Sequence, residues 1–257
     1  MEYKTKNLID RFVTLFSSWP AVECIILNEA AQPNSLDPYF ALILDVYYRG
    51  EIPAATERAK QYGSDTAAFE TSRGGNKDRF FAGNLPVRME YKTTEQIEDL
   101  VSIADTKRDN LWLVKDSGTY GFYRLSQGET LYNRSSWIET VRRRLNGLDS
   151  DFWNQVRDVA QSKMEHFLSD LGAAMLQDDD FFSLTSSSGF IKNACLSLFC
   201  INRRFEPSHR SYYRQVVKLP VLPESFKAQL ESFLHSGTPF QRRYSIGNLI
   251  ARGIITL

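Results

Sequence analysis

The sequence predicts an α+β protein, with a mixed sheet and flanking helices over residues 1–133 and a helical bundle over residues 134–257. Three observations predict it. Short β-branched or aromatic runs at Val22 to Leu27 and Phe40 to Tyr48, and an alternating run at Leu85 to Lys92, are interspersed with helix-periodic segments in the first half. After Asn133 the apolar residues follow helical spacing. The 257 residues, 42% apolar and 13% aromatic, suffice for two packed units.

Leu8, Phe12, Leu15 and Phe16 recur at helical spacing, and Pro20 is expected to end that first helix. The two following strands are joined by a polar loop holding Pro33, Asn34, Asp37 and Pro38. Ala54 to Tyr62 reads as a helix, and residues 63–84 carry short strand candidates near Phe69 and Phe80. A helix is expected from Thr94 to Ala104, with Thr94, Glu95, Glu98 and Asp99 suited to its N-terminal end. Leu111 to Val114 and Gly121 to Leu125 then read as a strand pair that closes the sheet. Beyond it, Phe152, Val156, Val159, Phe167, Leu171 and Met175 mark one helical face, and Ile191, Cys195, Leu198 and Ile201 another. Ser225 to His235 adds a further helix, and short connections favour a bundle.

Charge narrows the partners. The 31 Lys and Arg balance the 31 Asp and Glu, so no global field attracts nucleic acid or an anionic membrane, and a nucleic-acid role is disfavoured. Cys24, Cys195 and Cys200 form no even framework and lie in apolar runs, which predicts core thiols. Met1 to Trp19 mixes charges with apolar residues, unlike a signal peptide, and no run approaches the ~18 apolar residues of a membrane span. A cytoplasmic protein is therefore expected.

The segment "VECIILNEAAQPNSLDPYFALILDVYY", Val22 to Tyr48, resembles the opening of the DNA polymerase beta-like nucleotidyltransferases, in particular bacterial antibiotic-type and uncharacterised members with helical C-terminal domains. "LPVRMEYKTTEQIEDLV" (Leu85 to Val101) is similar to the later acidic strand of that family, and "LWLVKDSGTYGFYRL" to its closing strand pair. "CINRRFEPSHRSYYRQVVKLPVLPESF" (Cys200 to Phe226) resembles the helical half. In the family, a strand ends in Gly-Ser, the next strand carries two alternating carboxylates, and a third acid follows on a later strand. Strand residues two apart share a face, so such acids can hold magnesium around a triphosphate and an acceptor oxygen. The resemblance thus implies a nucleotidyltransferase-like fold, Mg²⁺ as cofactor, and a nucleoside triphosphate, ATP for choice, as partner.

Carried over by position, Asp45 and Glu90 become the catalytic and metal-binding acids, and Asn28 and Glu29 stand where Gly-Ser would meet the phosphates. Ala41 and Ile43 occupy positions where an alternating acid is expected, so the acidic signature is incomplete. By the same resemblance Lys192 and Arg210 are nucleotide-binding candidates from the helical half. The activity implied is transfer of a nucleoside monophosphate to a small-molecule or protein hydroxyl. The alternative is a catalytically degenerate member that binds nucleotide or a protein partner. The reading from residues alone makes Asp45 and Glu90 strand acids paired with Arg79, Arg88 or Lys92.

Other motifs have plainer readings. "SRGGNKDR" (Ser72 to Arg79) lacks phosphate-loop spacing and reads as a turn, with Lys77 and Arg79 as possible flankers of a cleft. Arg142 to Arg144 read as solvated helix charges, and Asp178 to Asp180 as capping residues. His209 beside arginines could exchange a proton, and Tyr212 and Tyr213 could stack a base or pack on Pro220 or Pro223. No G-x-S-x-G or H-E-x-x-H occurs, which removes the serine-triad and zinc-hydrolase classes.

Overall fold

The structure, a computed structural model, describes residues 3–30, 42–235 and 237–257, with 3, 4, 29, 30 and 115–117 described by backbone alone. Asp37 and Ala41 lie outside the described residues. Helix α1 (Tyr3–Ser17) is followed by strands β1 (Val22–Ala30) and β2 (Leu42–Tyr48), then α2 (Ala55–Gln61). Strands β3 (Thr66–Thr71), β4 (Lys77–Ala82) and β5 (Leu85–Thr93) lead into α3 (Thr94–Asp105). With β6 (Glu129–Asn133) they form a six-stranded mixed sheet in the order β3-β4-β5-β2-β1-β6, in which β2 and β5 run parallel and the other neighbours antiparallel.

Alternation decides what each face of this sheet carries. On one face Leu42, Leu44 and Val46 of β2 and Val87, Met89 and Tyr91 of β5 pack with Leu8, Phe12 and Phe16 of α1 in a single core. The intervening residues, Ile43, Asp45 and Tyr47 on β2 and Arg88, Glu90 and Lys92 on β5, fall on the other face. The core face holds a polar inclusion. Arg58 donates through Nε and Nη2 to the two oxygens of Asp78 at 2.8 and 2.9 Å, and through Nη2 to the carbonyl of Gly75 at 2.8 Å. The Tyr62 hydroxyl completes the set, bonded to Asp78 and to the Tyr91 hydroxyl. A buried pair this fully bonded avoids the cost of an unpaired interior charge. It also fixes the "SRGGNKDR" turn as an anchored structural element.

Helix α3 starts where the acids placed it, but the cap is Thr93 rather than Thr94. Thr93 Oγ1 accepts from Gln96 N, and Gln96 Oε1 accepts from Thr93 N, both at 3.2 Å, a reciprocal capping box.

The expected strand pair at 111–125 is instead helical, with α4 (Trp112–Ser117) and α5 (Tyr120–Gln127) joined through Gly118 at φ +79°. Leu111 with Val114, and Phe122 with Leu125, are buried at three-residue spacing, the helical repeat that a four-residue apolar run conceals. The strand that closes the sheet is β6, antiparallel to β1.

The chain divides into two compact units, one of Met1–Thr106 with Arg124–Gly147 and one of Lys107–Tyr123 with Leu148–Leu257. Helix α6 (Trp137–Asn146) belongs to the first, where the Trp137 indole donates to Glu98 at 2.8 Å and Arg144 Nε to Asp105 at 2.7 Å. Arg142 of this helix donates to the carbonyls of Leu125 and Gly128 at 2.9 and 2.6 Å, so within the basic run only Arg143 is an exposed, solvated charge. The second unit is helical: α7 (Ser150–Gln177), α8 (Asp180–Ile201), α9 (Tyr212–Val216), α10 (Phe226–Leu234) and α11 (Phe240–Ile255). Asp178 takes the left-handed conformation that ends α7, and Asp179 caps α8 by accepting from Phe182 N at 2.9 Å, the capping role expected of them. No helix among the described residues is long and apolar enough to cross a membrane.

Candidate functional site

The polar face of the sheet brings Asp45 and Glu90 together. Their strands are parallel neighbours and their Cα atoms are direct register partners. Between the two carboxylates sits the guanidinium of Arg124, from α5, with Nη1 donating to Glu90 Oε2 at 2.8 Å and Nη2 to Asp45 Oδ1 at 2.5 Å. Lys92 Nζ lies 3.1 Å from Asp45 Oδ1 and 3.2 Å from Glu90 Oε2. The second oxygen of Asp45 accepts from Asn28 Nδ2 at 2.7 Å and from the Tyr47 hydroxyl at 3.1 Å. The second oxygen of Glu90 accepts from Arg88, with Lys77 Nζ 3.8 Å away. Each of the four carboxylate oxygens therefore has a protein donor.

Local sequence explains how Arg124 reaches this point. Helix α5 ends close against β1, where a Cβ on Gly128 would stand 2.2 Å from Ile26 Cγ2, 2.7 Å from the Arg124 carbonyl and 2.9 Å from Asn28 Oδ1. Only glycine allows that approach. Tyr47 is held from the side by Trp137, ring centroids 5.4 Å apart, and Lys92 Nζ lies 5.8 Å from its ring centroid.

Burial governs the electrostatics. Asp45 is fully buried, Glu90 and Arg124 nearly so, whereas the Lys92 and Lys77 side chains keep 27% and 32% exposure. The Lys92 ammonium is lowered from its ordinary value, by burial first, with Asp45 opposing and Arg124 and Arg88 adding to it. Lys77 is lowered by burial and then by the positive charge of Arg88, Arg79, Arg124 and Lys92. The Tyr47 phenol is pushed up by burial and by Asp45.

Magnesium demands oxygen ligands at about 2.0–2.1 Å in near-octahedral geometry. The residues present do not fit it: both carboxylates are engaged by Arg124 and Lys92, Ile43 supplies no oxygen, and no group of three candidate ligands occurs among the described residues.

Of the other predicted positions, Asn28 joins the cluster, as do Arg88 and Lys92, two of the basic partners expected for the strand acids. The Glu29 side chain lies outside the described residues, and its backbone pairs with Ile43. Lys192 and Arg210 are exposed residues of the second unit. There Tyr212 is buried against Phe199 and His209, and Tyr213 is exposed and donates to Glu231 at 2.7 Å. Arg124 escaped the sequence reading altogether, because its segment reads as strand and nothing local marks a cation whose partners are 34 and 79 residues away.

The mixed six-stranded sheet with flanking helices and the helical second unit make an α+β fold. The chain is similar in structure to a nucleotidyltransferase-like protein from Exiguobacterium sibiricum 255-15, with 11% identity, a TM-score of 0.51, and coverage of 98% of this chain and 74% of that one. That likeness shows the fold. The sequence matches no protein family, and no curated protein matches it.

Proposed function

We propose that the protein binds a nucleoside triphosphate such as ATP on the polar face of its nucleotidyltransferase-like sheet, and that Arg124 and Lys92 stand in the place a divalent ion takes in a transferring relative. The reading is one of binding without transfer. It is carried by the saturation of the four oxygens of Asp45 and Glu90 by protein donors. A guanidinium and an ammonium fixed between two carboxylates neutralise them as a divalent ion would, but leave no open coordination position for phosphate oxygens. Phosphates would be met by the partly exposed Lys77 and Lys92. Both ammonium groups are lowered in part by neighbouring cations, and a polyanion relieves that crowding.

The second reading is transfer of a nucleoside monophosphate to a small-molecule or protein hydroxyl. Its supporting observation is the direct register of Asp45 with Glu90 on parallel strands. Calorimetry with ATP, in EDTA and in excess Mg²⁺, separates the two. Binding of equal strength in both, weakened roughly three- to tenfold by Lys77→Ala, supports binding without transfer. Binding that requires Mg²⁺ and disappears in Asp45→Ala supports transfer. No binding in either condition by the folded protein refutes both and leaves an interaction module.

A further inference from the structure

The helical unit has a cavity of about 540 Å³ that the sheet site does not use, lined from α8, from the segment entering α9, from α10 and from the start of α11. Its size lies within the roughly 300–1,000 Å³ of small-molecule sites. The lining is of two kinds. Leu184, Phe233 and Leu234 supply apolar wall, and Leu184 and Leu234 are 68% and 53% exposed. Lys192, His209 and Arg243 supply basic side chains, and no Asp or Glu is among the described residues that line the cavity.

The basic groups are positioned by the fold. Arg243 Nε and Nη2 donate to the carbonyls of Phe233 and His235, both at 3.3 Å, which tethers the guanidinium to the end of α10. The His209 ring stands edge-on to Tyr212 with centroids 5.6 Å apart, and the Tyr212 hydroxyl donates to the carbonyl of Lys192 at 3.4 Å. Glu206 interacts electrostatically with Lys192, yet burial pushes its carboxyl above the ordinary range, which weakens it as a counter-ion.

We propose that this cavity binds a small amphiphilic anion, with an apolar body against Leu184 and Phe233 and a carboxylate or phosphate head among Lys192, His209 and Arg243. An inorganic ion would leave the apolar wall wet. A neutral hydrocarbon would set a hydrophobic surface against basic groups that prefer water or an anion. An amphiphile satisfies both parts of the lining.

The test is calorimetry on the full chain with octanoate, octyl phosphate and octan-1-ol. At least one anion is expected to bind at least about tenfold more tightly than the alcohol, as for hydrogen bonds to a charged group. The tighter of the two anions identifies the head group. Lys192→Gln should weaken the anions roughly tenfold and leave the alcohol unchanged. Ser188→Trp, at an exposed position lining the cavity, should abolish binding of all three, with far-UV circular dichroism as the folding control. The proposal is overturned if neither anion binds, if the alcohol binds as tightly as the anions, or if Lys192→Gln leaves their affinity unaltered. Neither result bears on ATP binding at the sheet, because no residue is shared between the two sites.

Discussion

Replacing Arg124 by Met removes the charge that joins Asp45 to Glu90 while keeping much of the side-chain volume. The guanidinium makes two charge-assisted hydrogen bonds, at 2.8 and 2.5 Å, to carboxylates that are almost or fully buried. Breaking a buried pair by deleting one partner costs ~3–5 kcal/mol. Lys92 remains 3.1 and 3.2 Å from the same oxygens, so the lower end, ~3 kcal/mol, is expected. On a chain of this size that corresponds to a fall of roughly 6–12 °C in melting temperature. Urea denaturation should show a lower midpoint with an unchanged slope. Combining Arg124→Met with Asp45→Asn should recover part of the loss, because the deleted cation then leaves one buried charge fewer. A loss under ~1 kcal/mol would mean the carboxylates are solvated and only loosely engaged, as in exposed pairs. Arg124 would then be displaceable from the two carboxylates by a metal ion.

Gly128→Ala should destabilise the protein by about 1–3 kcal/mol, since the new methyl meets Ile26 at 2.2 Å and helix backbone at 2.7 Å; thermal unfolding measures it. Burial pushes the Cys24 and Cys195 thiols up to about 12 and Cys200 higher still. The native protein at pH 8 should accordingly react with a thiol reagent far more slowly than a free cysteine, and the denatured chain should titrate three thiols. Glu206 is raised above its ordinary 4.5 by burial, with Lys192 opposing. The folded state then holds a proton that the unfolded chain has released, so stability falls as pH rises from 4.5 through the raised value. Glu206→Gln should flatten that slope and be the more stable form above it, as read from denaturation midpoints across pH.

Periodicity made the acids legible and the arginine invisible. Asp45 stands in a short apolar run and Glu90 in an alternating one, and the period of two puts Arg88 and Lys92 on the same face as Glu90, so their pairing follows from sequence. Residues 111–125 do not declare their helices, because Leu111 to Val114 is too short a run to show its period and the apolar residues of α5 look the same as those of a strand. Arg124 went with it. Helix α11 carries a legible signal in Ile246, Ile250 and Ile254, spaced four apart. Arg142 looked solvated because its partners are backbone carbonyls, which carry no mark in a sequence. For Lys192, family position suggested a phosphate contact, whereas its surroundings in the helical unit are an apolar cavity with other basic groups.

The pairing of β4 with β5 works as a two-sided lock. On β5, Tyr91 enters the Arg58–Asp78 network from one face while Glu90 and Lys92 enter the carboxylate cluster from the other; on β4, Asp78 and Lys77 divide the same way. Sliding either strand by one residue would carry a charge into the aromatic core and an apolar side chain into the polar cluster at once. The hairpin therefore has no neighbouring register of comparable energy in which to rest. Partial loss of structure there should proceed by detachment of the outer strands, not by slippage, so hydrogen exchange along β4 and β5 should show protection lost together instead of a gradient of intermediate pairings.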